Sequence, residues 1–333
     1  RQNISVSIYA CHLSPNLRNH PLITWHRIVL PGPALLRHIL FPFISTLKIK
    51  KEKHDLIIAT GCTSFLFDIN IVHFVHHGLH ETLKNLKIKF GIYQNMILRW
   101  NLFLEKKIYR SEKVYIAVSR KIQQELKQHF NASQIKTLWN SLTSRHEKLW
   151  QPTTASSRQI SKPLQILFVG DLKRSIKNVK TLLQALKDLP PTSYLLKICS
   201  SMSYASVKNQ LKNIPHQYLG HVQNMDQVYR FADLLVHPSF YEPFGLVILE
   251  AWMHGLGVIC CQEPYCGIAP LIQGKPGARL LDHPMNHRQL LQFLLEAIET
   301  KNISRSMEGF ASPEQLQKQY FNFFNEVFNS KSN

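Results

Sequence analysis

The 333 residues and 38.6 kDa of this chain, with 44% apolar and 18% charged side chains, are enough to fill two hydrophobic cores and exclude a disordered or fibrous protein. No run reaches the roughly 18–20 apolar residues of a membrane span. The opening RQNISVSIYA lacks the basic start, apolar run and cleavage site of a secretory leader, so a cytoplasmic protein is expected. The net charge is +19, and residues 1–150 hold 22 Lys and Arg against 8 Asp and Glu, a surplus of +14 that draws polyanions. No recognition-helix or aromatic RNA-binding pattern accompanies it, which argues against nucleic acid. An anionic membrane surface is the expected partner, with a plain solvated face as the simpler alternative.

Along the chain, strand and helix patterns alternate, as α/β units with parallel sheets require. ISVSIYA (4–10), DLIIAT (55–60), INIVHFVH (69–76) and VYIAVS (114–119) read as strands. Residues 91–110 have helical spacing, with Ile92, Met96, Ile97, Trp100, Phe103 and Leu104 on one side and Arg99, Glu105, Lys106 and Lys107 on the other. A helix is predicted from Arg120 to Phe130, and TLWNS (137–141) closes the first half.

The texture then changes. WQPTTASSRQISKP (150–163) is polar, Ser/Thr-rich and bracketed by prolines, the composition of an interdomain linker. Beyond it, LQILFVG (164–170), SYLLKICS (193–200), LLVHPS (234–239), GVICC (257–261) and ARLL (278–281) read as strands. Helices are predicted over 178–189, 244–255 and Pro313–Phe328. The expected domains are therefore 1–150, a linker at 151–163, 164–310, and a C-terminal helix in 311–333. The six cysteines (Cys11, Cys62, Cys199, Cys260, Cys261 and Cys266) show no metal-ligand or paired spacing and read as small apolar side chains.

Two motifs carry chemistry. In YEPFGLVILEAWMHGLGVI (241–259), Glu242 and Glu250 flank seven residues. A strand, a turn and a helix beginning near Phe244 would aim unpartnered N–H groups at an anion, and a diphosphate fits there. Gly245 permits close approach of the backbone, with Leu246 next to it. Glu250 lies about two turns into an apolar helix, where a carboxylate needs a polar partner. In FVGDLKRSIKNVKTLLQAL (168–186), Gly170 ends a strand, and Lys173, Arg174 and Lys177 follow in a loop placed to neutralise phosphate. Either motif could instead be an ordinary surface turn.

With AVSRKIQQEL (117–126) and LWNSLT (138–143), these segments resemble the group 1, family 4 retaining glycosyltransferases over nearly the whole chain. The resemblance implies a GT-B fold: two Rossmann-like domains facing across a cleft, with parallel sheets flanked by helices. It implies transfer of a hexose-type sugar from a UDP- or GDP-sugar to a cell-envelope or lipid-linked glycan, with no cofactor or metal. The donor diphosphate would lie on Lys177 and Arg174, the ribose on Glu250 and the sugar against Glu242. A final helix would cross back to the first domain.

A histidine near the first-domain cleft contacts the donor sugar in that family, and His76 or His77 of HFVHHGLHE matches it. Zinc binding by His73, His76, His77 and His80 is the rival. Adjacent residues of a strand point to opposite faces, which argues against it. Two departures stand out. Asp171 occupies the place where many members carry arginine. The family's first strand, glycine-rich loop and helix have no counterpart after Arg1, so the sequence either starts inside a longer protein or lacks that unit. A non-catalytic partner subunit and a GT-B epimerase are the alternatives.

Overall fold

Short runs of Val, Ile and Leu between polar turns form parallel strands here, because a sheet covered on both faces buries uninterrupted apolar sequence. The structure, a computed structural model, describes residues 4–140, 156–300 and 302–332. Strands β1 (Val6–Ala10) and β2 (Ile23–Arg27) pair in parallel as a separate ribbon. The main sheet of the first lobe holds β3 (Ile58–Thr60), β4 (Ile69–Val72), β5 (Val114–Ala117) and β6 (Gln134–Thr137), side by side and parallel. Among the described residues the helices that accompany these strands are α1 (Pro15–Arg18), α2 (Ala34–Ile49), α3 (His76–Asn85), α4 (Ile92–Ile108) and α5 (Arg120–Phe130).

In the second lobe, β8 (Leu164–Val169), β9 (Tyr194–Cys199), β10 (His216–Gly220), β11 (Leu234–His237), β12 (Gly257–Cys261) and β13 (Ala278–Leu281) form one parallel sheet in the order β10-β9-β8-β11-β12-β13. Every residue of β11 and β12 is buried. The accompanying helices are α6 (Val179–Lys187), α7 (Met225–Arg230), α8 (Leu246–Met253), α9 (Ala269–Ile272) and α10 (His287–Glu299). The last helix, α11 (Pro313–Ser332), packs on the first-lobe sheet: Tyr320, Phe323, Phe324 and Val327 lie against Ile69, Ile116 and Leu138. Lys331 pairs with Asp68 at 2.8 Å at its far end.

Several expectations change. The strand foreseen over 69–76 stops at Val72, and His76 opens a helix instead. Part of the foreseen linker is β7 (Ser156–Gln159), which pairs antiparallel with β14 (Asn302–Arg305); residues 141–155 lie outside the described ones. The helix foreseen over 244–255 starts at Leu246, because Gly245 adopts a left-handed φ of 104° that no helix continues. Of the cysteines, Cys199, Cys260, Cys261 and Cys266 are buried, while Cys11 and Cys62 are half-buried. Among the described residues no helix is long and apolar enough to cross a membrane.

Candidate active site

The order of the second-lobe sheet reverses between β8 and β11, and such a switch point opens a crevice at the carboxyl ends of the two strands. Both motifs leave the sheet there. The loop after β8 is tied to the loop after β11: Phe240 N–H donates to the Ile176 carbonyl at 2.9 Å, and the Asn178 amide donates to the Pro238 carbonyl at 2.9 Å. These bonds bring Lys177 to Glu242, 65 residues later, with Nζ 2.8 Å from Oε2.

His237, at the end of β11, completes the group. Its Nε2 lies 2.8 Å from the same Glu242 oxygen and 3.0 Å from Ser239 Oγ, while Nδ1 is buried without a partner among the described residues. A buried lone pair is tolerated better than a buried orphan N–H, so the proton belongs on Nε2, which donates to Glu242. Burial and the nearby Lys177 ammonium lower the His237 pKa, keeping it neutral. Burial alone would raise the Glu242 carboxyl, but the His237 hydrogen bond and the Lys177 charge overcome it and hold the pKa at about 2. With His237 neutral, Lys177 supplies the charge and His237 the hydrogen bond.

Gly245 sits at the start of α8. A Cβ there would lie 3.0 Å from Ile248 Cδ1 and 3.3 Å from Ile268 Cγ2, in a backbone conformation that side chains avoid. Phe244, Gly245 and Leu246 line the cleft beside Glu242, so the free N–H groups of the first helical turn border it. Glu250, farther along α8, accepts a 2.7 Å hydrogen bond from the Tyr229 hydroxyl, the polar partner its apolar helix demands. Glu250 is not part of the cleft lining.

Among the other predicted residues, Gly170 adopts φ 145°, a backbone conformation that side chains avoid, while a Cβ there would only touch the Lys177 stem at 3.5 Å. Lys173 and Arg174 are exposed, and only Arg174 lines the cleft. Asp171 is a tether: its Oδ1 accepts from the hydroxyls of Ser200 and Ser201 at 3.0 and 2.8 Å, bonds that lower its pKa and lock the loop to the end of β9.

Across the cleft, of about 570 Å³, stands the first lobe. His73 and His76 line it, while the His77 ring packs edge-on to Phe130 at 5.0 Å, away from the lining. Because His76 and His77 begin a helix, the strand-based argument against their converging does not apply. Both rings converge on the Glu105 carboxylate, at 2.8 and 2.7 Å from Nδ1. Glu105, expected on the solvent face of its helix, is fully buried, whereas Ile92 is 85% exposed. The inner face of α4 is Leu98, Asn101, Leu104, Glu105 and Ile108. Among the described residues no group of three or more His, Cys, Asp or Glu is placed to hold a metal ion.

Sequence reasoning missed Glu105, His237 and Tyr241, and it marked Ser119 only as the serine of the AVSRKIQQEL strand-to-helix step, without its contact to the second lobe. Ser119 caps α5 through the N–H of Ile122 at 3.2 Å and donates across the lobes to the Pro243 carbonyl at 2.6 Å. Tyr241, next to Glu242, is buried against the first lobe. A Ser before a predicted helix was a visible signal; Glu105 and Tyr241 find their partners far along the chain, whereas His237 bonds Ser239 and Glu242 within five residues of itself.

Comparison with known proteins agrees with this architecture. Residues 1–142 match the model of Glycosyltransferase Family 4, and residues 163–300 match that of Glycosyl transferases group 1. The chain is 25% identical over 229 residues to an uncharacterized glycosyltransferase of Methanocaldococcus jannaschii, covering 62% of this chain and 57% of that protein. It is 34% identical over 105 residues to O-antigen chain mannosyltransferase B of Escherichia coli, covering 28% of this chain and 27% of that one. These alignments span less than two thirds of either relative. Among solved structures, sucrose-phosphate synthase of Thermosynechococcus elongatus has a TM-score of 0.70 at 17% identity, covering 97% of this chain and 89% of that one. WaaG, a glycosyltransferase involved in lipopolysaccharide biosynthesis, has a TM-score of 0.68 at 15% identity, covering 89% and 90%. These two share its fold. With one matched model on each lobe, the chain belongs to the group 1, family 4 glycosyltransferases of the GT-B type.

Proposed function

We propose that this protein is a retaining glycosyltransferase that moves a hexose-type sugar from a UDP- or GDP-sugar to a cell-envelope or lipid-linked glycan. The observation that carries the reading is the Lys177–Glu242–His237 group beside the free N–H groups of α8, at the switch point of the second-lobe sheet. The donor diphosphate lies over the start of α8 with Lys177 and Arg174 on its oxygens, and these cations and N–H groups take up the charge of the departing diphosphate without a metal ion. Lys173 adds to the field from the loop. Glu250 accepts from the ribose hydroxyls, and Glu242 from the sugar.

In the reaction the bond from the anomeric carbon to the diphosphate oxygen breaks and a bond to the acceptor oxygen forms on the same face. The acceptor's proton passes to the leaving phosphate. His76 faces the sugar from the other lobe.

The acceptor enters along α4, where apolar Phe90, Ile97 and Leu98 line the cleft wall. On the outside of this helix Ile92, Tyr93, Met96 and Phe103 are exposed, with exposed Lys89, Arg99, Lys106 and Lys107 near them. Apolar residues among cations suit the surface of an anionic bilayer, and support peripheral attachment at the inner face of the cytoplasmic membrane.

Calorimetric titration with UDP- and GDP-sugars, without added metal, tests the donor site. Binding that weakens sharply in Glu250→Ala supports it and identifies the base. Absence of binding to the folded protein overturns it, and binding without turnover favours a non-catalytic partner subunit.

A further inference from the structure

Glu105 accepts four hydrogen bonds on one fully buried carboxylate. The backbone N–H groups of His76 and His77 lie at 2.5 and 3.0 Å, and the Nδ1 atoms of the same residues at 2.8 and 2.7 Å. Burial would raise the pKa of this carboxyl, but the bonds from the two histidines lower it below its ordinary value. The group therefore stays an anion that can only accept, and a proton must sit on Nδ1 of each ring. In a neutral imidazole this leaves the lone pair on Nε2. The His76 ring leans on Phe74 at 4.8 Å between centroids and lines the cleft, and no described residue hydrogen-bonds its Nε2.

We propose that Glu105 is a positioning residue that fixes His76 in its Nδ1–H form and turns the Nε2 lone pair to the cleft, so the group His76 recognises on the donor is a hydroxyl. The assignment of the hydroxyl rests on the reading that a nucleotide sugar fills this cleft; the assignment of the tautomer does not. A lone pair takes a hydrogen bond from a sugar hydroxyl and none from an ether, a carbonyl or a carboxylate. A sugar that is deoxy at the facing carbon leaves Nε2 unpartnered. His77, held by the other oxygen of Glu105, serves to keep the carboxylate in place.

The tautomer is read by NMR of the 15N-histidine-labelled free protein. We expect a pyrrole-type Nδ1 and a pyridine-type Nε2 for His76, and a change of this pattern in folded Glu105→Gln, whose single side-chain carbonyl cannot serve both rings. An Nε2–H or doubly protonated His76 at neutral pH, or a pattern unchanged in the variant, overturns the proposal. The second readout compares UDP and GDP with UDP-glucose and GDP-mannose as probes. Glu105→Gln should weaken the bound hexose conjugate about tenfold, the size of one lost hydrogen bond, and leave the free nucleotide unaffected. Equal loss for nucleotide and conjugate marks general damage and overturns the positioning role. If the wild type binds neither, the proposed function fails, while the NMR result still decides the tautomer.

Discussion

The Tyr241 hydroxyl donates to the Glu125 carboxylate at 2.6 Å, joining residues 116 positions apart in different lobes. The same oxygen accepts from the Val75 N–H at 3.3 Å, and the Lys121 ammonium lies 4.0 Å from the Tyr241 ring centroid while also pairing with Glu125. Because Tyr241 directly precedes Glu242, this junction ties the position of the candidate site in one lobe to the other lobe.

Tyr241→Phe keeps the ring and deletes the bridge. Glu125 is already raised in pKa by burial, against the opposing charge of Lys121, and would lose a neutral donor. Leaving a buried acceptor short of a partner costs about 1–3 kcal/mol. Urea denaturation of Tyr241→Phe should show a loss of that size, and small-angle scattering should show a wider separation of the lobes. Wild-type stability and an unchanged scattering profile would show that the lobes are held together by other contacts.

A second junction lies beside it. A Cβ on Gly267 would stand 1.9 Å from the Pro243 carbonyl oxygen and 2.8 Å from Ser119 Oγ. Pro243 follows Glu242, and its carbonyl already receives the Ser119 hydroxyl. Gly267→Ala must therefore push the Glu242–Pro243 turn away from the first lobe, at about the 1–3 kcal/mol usual for overpacking. Nucleotide binding measured by calorimetry should fall with it. Ser119→Ala deletes only the hydroxyl and the cap of α5, about 1 kcal/mol, and should leave binding near the wild-type value. If Gly267→Ala binds nucleotide as the wild type does, the turn does not govern the site.

What could be read from the sequence followed the range of the interactions. Helix α5 was legible from Arg120 to Phe130 because its cap, Ser119, and its apolar spacing are both local. The buried runs at 164–169 and 257–261 were legible because parallel strands need no partner pattern to look apolar. Lys177, Glu242 and Glu250 each stand in a local strand-to-helix signal. Glu105 does not: helical periodicity places it among Lys106 and Lys107, and only His76 and His77, a separate helix away, make its burial possible. Helix α2 was missed because Pro42 lies inside it and proline reads as a breaker.

The depressed pKa values of His237 and Glu242 set a pH dependence with two windows. His237 is neutral in the folded protein, by burial and by Lys177, but titrates near 6.5 when unfolded. Its linked stability is present above 6.5 and declines as the pH falls below it, because only the unfolded chain then gains the proton. Glu242, at about 2 against an ordinary 4.5, contributes fully above about pH 5 and loses its share as the pH falls toward 2. Unfolding free energies measured from pH 8 to 2 should fall in two steps, and His237→Gln should flatten the first. A profile level from pH 7 to 5 in the wild type would contradict the neutral assignment of His237.

The outer face of α4 makes the membrane reading measurable. Ile92 and Met96 are 85% and 55% exposed, one helical turn apart, and Arg99 continues the same stripe. Apolar side chains on this face can enter the interfacial region only if the neighbouring cations meet anionic headgroups, each worth about 1 kcal/mol at the surface. The protein should therefore float with phosphatidylglycerol vesicles and much less with phosphatidylcholine vesicles. Raising the salt toward ~1 M, where the screening length shrinks to about 3 Å, should release it. The double substitution Ile92→Asp and Met96→Asp leaves the inner face of the helix intact, so the fold should persist while flotation falls at least about tenfold, since two apolar anchors are lost and two like charges face the lipid. Equal flotation with both lipids, or a double variant that floats as the wild type does, would remove α4 as the attachment face.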